Sequence, residues 1–280
     1  MRFCVRLATG FIMTTLQQAH DFRAECDALA DVLEPLEEGD FEAQTLFKRW
    51  TLHDVVAHLH IFNWAADVSI HQPDTLRSFS DDLARGRSRG LSLREVTDEW
   101  LEGQRNRAVY ERWRYYYPGM CDRLQGVDPK TRVEWFGPSM SIRSSITARQ
   151  METWAHGQEV FDSLGLDRCE GDRIKNIVVL GVNTFGWTYA VRKLDVPEIV
   201  PHVRLTAPSG EVWEWNEPQQ ASSIEGKAVE FCQVVTQVRN IADTELTVKG
   251  NVAIEWMSMA QCFAGGPETP PAPGTRHRAG

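Results

Sequence analysis

Along the first two-thirds of the chain, apolar residues recur at helical spacing. In residues 14–36, Leu16, Phe22, Cys26, Leu29, Ala30 and Leu33 fall on one helix face, and Pro35 with Gly39 marks the stop. A second helix is expected over residues 52–70, opened by Thr51 as N-cap with Asp54 three residues on, as in a capping box. The polar, glycine-containing run DDLARGRSRG separates it from a third helical region, residues 93–124, which is rich in tyrosine and tryptophan and ends near Gly126. A fourth helix begins near Ser141 and stops at Gly165. Four helices of this length can close one bundle around a shared core.

A fifth helical stretch, DRIKNIVVLGVNTFGWTYAVRK, follows, and the character changes at Pro197 and Pro201. Beyond them HVRLTA and EVWEW, separated by Pro208, Ser209 and Gly210, read as a hairpin, GKAVEFCQVVTQV as a helix and TELTVKG as a further strand. The expected architecture is therefore α+β: a helical domain over residues 13–196 and a small α+β domain over residues 197–266. The proline-rich end, residues 267–280, is expected to be a disordered tail. Residues 1–12 are expected to be an extension without structural meaning, with Met13 rather than Met1 as the start, because helical periodicity begins just after it.

Composition narrows the function classes. The chain has 280 residues, 42% hydrophobic and 25% charged, a balance that leaves neither a membrane span nor a disordered bulk. A net charge of -9 repels phosphate backbones and anionic lipid, so neither nucleic acid nor membrane is an expected partner. Six cysteines without C-x-x-C spacing, and no secretory apolar run at the start, fit a reduced cytoplasmic protein. Monomer and homodimer both remain open.

Candidate chemistry concentrates in the fourth helix. Glu152 and His156 are four residues apart, so both side chains can reach one ion from a single helix face. On the helical wheel they sit beside the apolar stripe of Ile142, Ile146, Val160 and Leu164, and so face the bundle interior. A carboxylate and an imidazole turned toward an apolar core need compensation, which a divalent cation supplies. Of the histidines in the second helix, His58 has largely apolar neighbours (Val55, Ile61, Phe62, Ala65), whereas His53 and His60 lie away from the stripe of Leu52, Val55, Leu59 and Phe62. The expected metal ligands are His58, Glu152 and His156, and an open fourth position suits catalytic zinc. Iron, nickel or manganese could use the same donors. His58 as a core histidine, and Glu152 with His156 as a plain ion pair, are the alternatives.

The segments W-T-L-H-D-V-V-A-H-L (residues 50–59) and M-E-T-W-A-H-G-Q-E-V-F-D-S-L-G (residues 151–165) resemble the two signature segments of the DinB-like metalloenzyme superfamily. More narrowly, they resemble the mycothiol-dependent maleylpyruvate isomerase family, and A-Q-C-F-A-G-G-P (residues 260–267) marks a largely uncharacterised subfamily. The resemblance implies a DinB-like four-helix bundle, zinc on His58, Glu152 and His156, and a low-molecular-weight thiol such as mycothiol. It further implies a small acidic or electrophilic substrate. Addition of a thiolate to an activated double bond, rotation and elimination would give cis-trans isomerisation, while attack on an electrophile would give S-transfer. An arginine that holds the acidic substrate maps by resemblance onto Arg239, although that residue could equally serve the C-terminal end of its own helix. Glu159 lies near the metal face as a carboxylate that supports the ligands or moves protons, or else as a solvated charge, and Asp54 is more readily a helix cap than a partner of His58. A metal-dependent hydrolase and a non-catalytic metal- or ligand-binding protein are the competing functions.

Overall fold

The computed structural model describes residues 16–279, so the extension at 1–12 and the start at Met13 lie outside the described residues. Helix α1 (Gln17–Leu33) is followed by α2 (Leu52–His71), α3 (Pro73–Ser88), α4 (Leu93–Trp100) and α5 (Asn106–Arg123). A two-residue ribbon, β1 (Arg132–Val133) with β2 (Met140–Ser141), leads into α6 (Ile142–Ser163). Then come α7 (Lys175–Asn183), α8 (Phe185–Ala190), β3 (His202–Thr206), β4 (Val212–Trp215), β5 (Ser223–Lys227), α9 (Ala228–Val235), β6 (Thr247–Lys249) and α10 (Asn251–Met259).

Helices α1, α2, α5 and α6 form the bundle. Phe22, Cys26 and Leu29 from α1, Leu52, Val55 and Leu59 from α2, Trp113 and Tyr117 from α5, and Ile142, Ile146 and Val160 from α6 share one buried core. The run read as a separator is instead mostly helix. Pro73 stands in the first turn, where its missing N–H costs nothing, and Leu76, Phe79 and Leu83 bury one face of α3 against Ile61, Ala65 and Val68 of α2. Gly86 is required there, because a Cβ would lie 2.4 Å from Val96 Cγ2 of α4. The third predicted helix is broken into α4 and α5 at residues 101–105, where Gly103 takes φ +81°.

A second core contains the four-stranded sheet, ordered β4-β3-β5-β6, in which β3 and β5 run parallel and the outer pairings are antiparallel. Strand β5 takes the first two residues of the helix expected over GKAVEFCQVVTQV, because Gly226 and Lys227 pair with Leu205 and Thr206 of β3. Helices α7 and α8 belong to this core: Ile177, Val178, Phe185 and Tyr189 pack with Val203, Ile224, Phe231 and Trp256. The cores therefore do not divide at residue 197: α7 packs on α6 and α9, and its Ile177 and Val178 belong to the sheet core. Met151 and Trp154 of α6 also join the second core.

The tail expected to be disordered lies along the fold. Asn240 Nδ2 donates to Pro271 O at 2.8 Å, Gly274 N donates to Asp243 at 2.8 Å, and Ala279 N donates to Asp162 O at 2.8 Å. Proline removes donors but not carbonyl acceptors, so a segment without regular structure is held here by side chains of its neighbours.

Candidate metal centre and its two cavities

Thr51 caps α2: its Oγ1 accepts from Asp54 N at 3.1 Å, and Asp54 Oδ2 accepts from Thr51 N at 2.8 Å. Asp54 also pairs with Arg94 at 3.0 Å and is thus a cap, not a partner of His58. Ser141 caps α6 through Ser144 N at 3.1 Å. These two helices, packed side by side, bring the three expected ligands together.

His58 Nε2 lies 3.1 Å and His156 Nε2 3.4 Å from Glu152 Oε2, and the three donor atoms fall within 4.8 Å of one another. Tetrahedral ligands at ~2.1 Å from zinc stand about 3.4 Å apart, so the donor set fits such an ion with small adjustments. The protonation states suit it too. Burial lowers the His58 imidazole to about 4, leaving it neutral and able to donate a lone pair. Burial alone would raise the Glu152 carboxyl, yet hydrogen bonds from His156 and His58 outweigh it and hold the group well below the usual range. Aromatic rings fix the imidazoles: Trp50 stacks on His156 at 5.3 Å and 9°, Phe47 meets His156 edge-on at 5.1 Å, and Phe62 lies 4.8 Å from His58.

Two cavities meet at this triad. One, about 310 Å³, is lined by Lys48, Trp50, His156, Glu159, Gln237, Glu268 and Arg276 together with apolar side chains such as Met151 and Phe263. The other, about 570 Å³, is walled by Phe62, Val96, Trp135, Phe136, Arg149 and Trp187. His58 and Glu152 line both.

The remaining candidates are placed as follows. Glu159 is buried, not solvated: its Oε1 accepts from Arg276 Nη1 at 2.9 Å, its Oε2 has no partner among the described residues, and burial raises its carboxyl. Arg239 pairs with Asp162 at 2.7 Å and donates to Val238 O, and it is not among the residues lining either cavity. Among the described residues the cations lining the smaller cavity are Lys48 and Arg276, the latter from the tail and stacked 4.8 Å over Phe47. His53 and His60 are both buried although they lie away from the apolar stripe of α2, because α4 and α5 cover the face of α2 that carries them. His53 Nδ1 accepts from Asn106 N at 3.0 Å, while His60 sits between Trp100 and Tyr116. Arg149 and Arg276 were missed. The first lies one turn before Glu152, a spacing that puts it beside the ligands, whereas no pattern in the tail announces the second.

Fold and ligand geometry define a DinB-like helical bundle with an attached α+β unit. Residues 22–161 match the mycothiol maleylpyruvate isomerase N-terminal domain family. Uncharacterised proteins from two strains of Mycobacterium tuberculosis are 31% identical over 247 residues, covering 88% of this chain and 95% of theirs. The crystal structure of a mycothiol-dependent maleylpyruvate isomerase superposes with a TM-score of 0.50 at 14% identity, over 81% of this chain and 91% of that one. A histidine-to-alanine variant of that enzyme gives 0.51 over the same shares. The chain belongs to the mycothiol-dependent maleylpyruvate isomerase-like family. Among the described residues no helix is long and apolar enough to cross a membrane.

Proposed function

We propose that this is a divalent-metal enzyme, with zinc the expected ion, that uses a low-molecular-weight thiol such as mycothiol. Its reaction would be cis-trans isomerisation of an unsaturated acid of the maleylpyruvate type, or S-transfer to an electrophile. The observation that carries this reading is that His58, Glu152 and His156 converge where two cavities meet, His58 and Glu152 lining both, so that two small molecules could reach one point. Family membership supports it. When bound by these residues, the metal supplies Lewis acidity that makes a thiol a better nucleophile at neutral pH.

The chain's own groups supply the rest. Trp50, Phe47 and Phe62 hold the two imidazoles in orientation and keep bulk water from them. Lys48, Gln237, Glu268 and Arg276 offer hydrogen-bonding partners to the polar body of the thiol. Glu159, buried in the wall of the smaller cavity with its Oε2 unpartnered among the described residues, takes the thiol proton and returns it. Arg239 acts at one remove: its pair with Asp162 ties the segment after α9 to α6. All three metal ligands come from one chain, so monomer and homodimer serve the site equally. The free cysteines Cys26, Cys121, Cys169, Cys232 and Cys262 suit the cytoplasm.

Metal analysis by plasma mass spectrometry on tag-free protein tests the centre, with thiol-dependent turnover of maleylpyruvate testing the reaction. About one zinc per chain, lost in His58→Ala and Glu152→Ala, with isomerisation only when mycothiol is added, is the expected result. A native chain that retains no stoichiometric metal after zinc loading removes the reading.

A further inference from the structure

Arg149 is 6% exposed, yet no carboxylate pairs with it among the described residues, and its Nη1 is buried without a hydrogen-bond partner. The guanidinium instead lies over Phe62 at 5.7 Å and Trp135 at 5.5 Å. Such cation–π contacts contribute roughly 0.5–2 kcal/mol each, well short of the several kcal/mol that desolvating an ion costs. A guanidinium keeps its charge at any pH at which the chain folds. Every other deeply buried arginine here has its ion pair: Arg168, also under an aromatic ring, is matched by Glu25. Among the described residues Arg149 is a buried cation without an anionic partner.

Its surroundings describe that partner. Arg149 opens into the larger cavity, at about 570 Å³ within the range of small-molecule sites. The facing wall is aromatic, Trp135 lying 4.7 Å from Phe136 and 6.3 Å from Phe62, and such a wall accepts a flat apolar body. Glu152, three residues along α6, lines the same cavity and repels a second negative charge, so a monoanion is favoured over a phosphate dianion. We propose that this cavity binds a carboxylic acid with a flat, unsaturated apolar body, its carboxylate held by Arg149 and its double bond turned toward the His58–Glu152–His156 triad. The carboxylate and the guanidinium can pair through two parallel hydrogen bonds, which fixes the plane of the ligand as well as its charge. The inference narrows the proposed function from an unsaturated diacid of the maleylpyruvate type to an unsaturated monoacid and names the side chain that selects it, and it rests on that reading only for the direction of the double bond.

Binding of trans-cinnamate, its neutral isostere cinnamamide, fumarate and phenyl phosphate is measured by calorimetry, on metal-free and on zinc-loaded protein. Cinnamate is expected to bind at least ten-fold more tightly than the other three, with or without zinc. In Arg149→Met the preference over cinnamamide disappears while the melting temperature and circular dichroism stay near native; in Arg149→Lys part of it survives. Trp135→Leu is expected to weaken cinnamate and leave fumarate unchanged. Equal binding of cinnamate and cinnamamide to the native chain, or no binding of either at millimolar concentration, overturns the inference without any variant. So does a folded Arg149→Met that still discriminates, or tighter binding of fumarate or phenyl phosphate. Discrimination that appears only with zinc places the carboxylate on the metal and also overturns it. Selective binding by a chain that holds no zinc leaves this inference standing while removing the metal centre.

Discussion

On one flank of α6, Glu25 of α1 meets Arg168 and Arg173; on the other, Glu152 meets His58 and His156, with unpaired Arg149 one turn away. Glu25 is fully buried, and each of its oxygens is answered: Oε1 by Arg168 and Oε2 by Arg173 at 2.8 Å. Glu25 lines neither of the two cavities that Glu152 lines, and Trp154 and Phe161 stack against Arg168 to close the cluster. Around Glu152 the arrangement is reversed: two imidazoles, an open volume on either side, and a cation that has no anion among the described residues. Both clusters carry charge into the interior, but only the first is complete within the chain. Stability is secured where charges are matched, and chemistry is to be sought where they are not.

The contrast can be broken most forcefully at Glu25. Glu25→Ala leaves two buried guanidiniums without a carboxylate and is expected to cost roughly 3–5 kcal/mol in urea unfolding. A cost below about 1 kcal/mol would show that the cluster is not the tie it resembles. Next in size is the metal. Zinc at about a hundred times its dissociation constant should add about 2.7 kcal/mol to the native chain and nothing to His58→Ala, read as a shift in thermal unfolding. Arg276→Met strands Glu159 and is expected to cost roughly 1–3 kcal/mol, much of it regained when Glu159→Gln is added. Full additivity of the two changes would separate the tail from the site.

The smallest effect is set by pH. Burial and the nearby Arg105 depress the His53 imidazole below its ordinary value, while His53 Nδ1 accepts from Asn106 N. Below an unfolded pKa of about 6.5 the unfolded chain binds a proton that the folded chain refuses, so stability falls as pH drops from there toward the folded value. Between pH 7.5 and 5.5 the native chain should lose more stability than His53→Gln, which keeps an acceptor but cannot titrate. Equal losses would assign the acid sensitivity elsewhere.

How far the sequence could be read depended on whether a feature was local. The Thr51–Asp54 box, the Ser141 cap, the turn around Gly210 and the four-residue step from Glu152 to His156 are spacings along one element, and each stands where spacing put it. What escaped was decided across elements. Residues 73–88 look like linker until α2 is seen to offer Ile61 and Val68 to Leu76 and Phe79. The second core captures α7 and α8 because α6 faces two ways. Arg149 reads as one more charged residue in a helix. Its meaning comes from its lacking a carboxylate partner among the described residues, although Asp54 and Asp67 lie on α2, and no single-segment pattern can reveal that. The tail misled for the same reason: composition registers proline but not the donors waiting on Asn240 and Arg276.

The two allegiances of α6 carry a consequence for modularity. One helix gives Ile142, Ile146 and Val160 to the bundle and Met151 and Trp154 to the sheet core, with Glu152 and His156 between. The bundle cannot be excised without stripping the sheet core of a wall, nor the reverse, so the molecule has the length of two domains and the cooperativity of one. A graft that exchanged the C-terminal unit for a relative's would have to bring its own α6, and with it two of the three ligands.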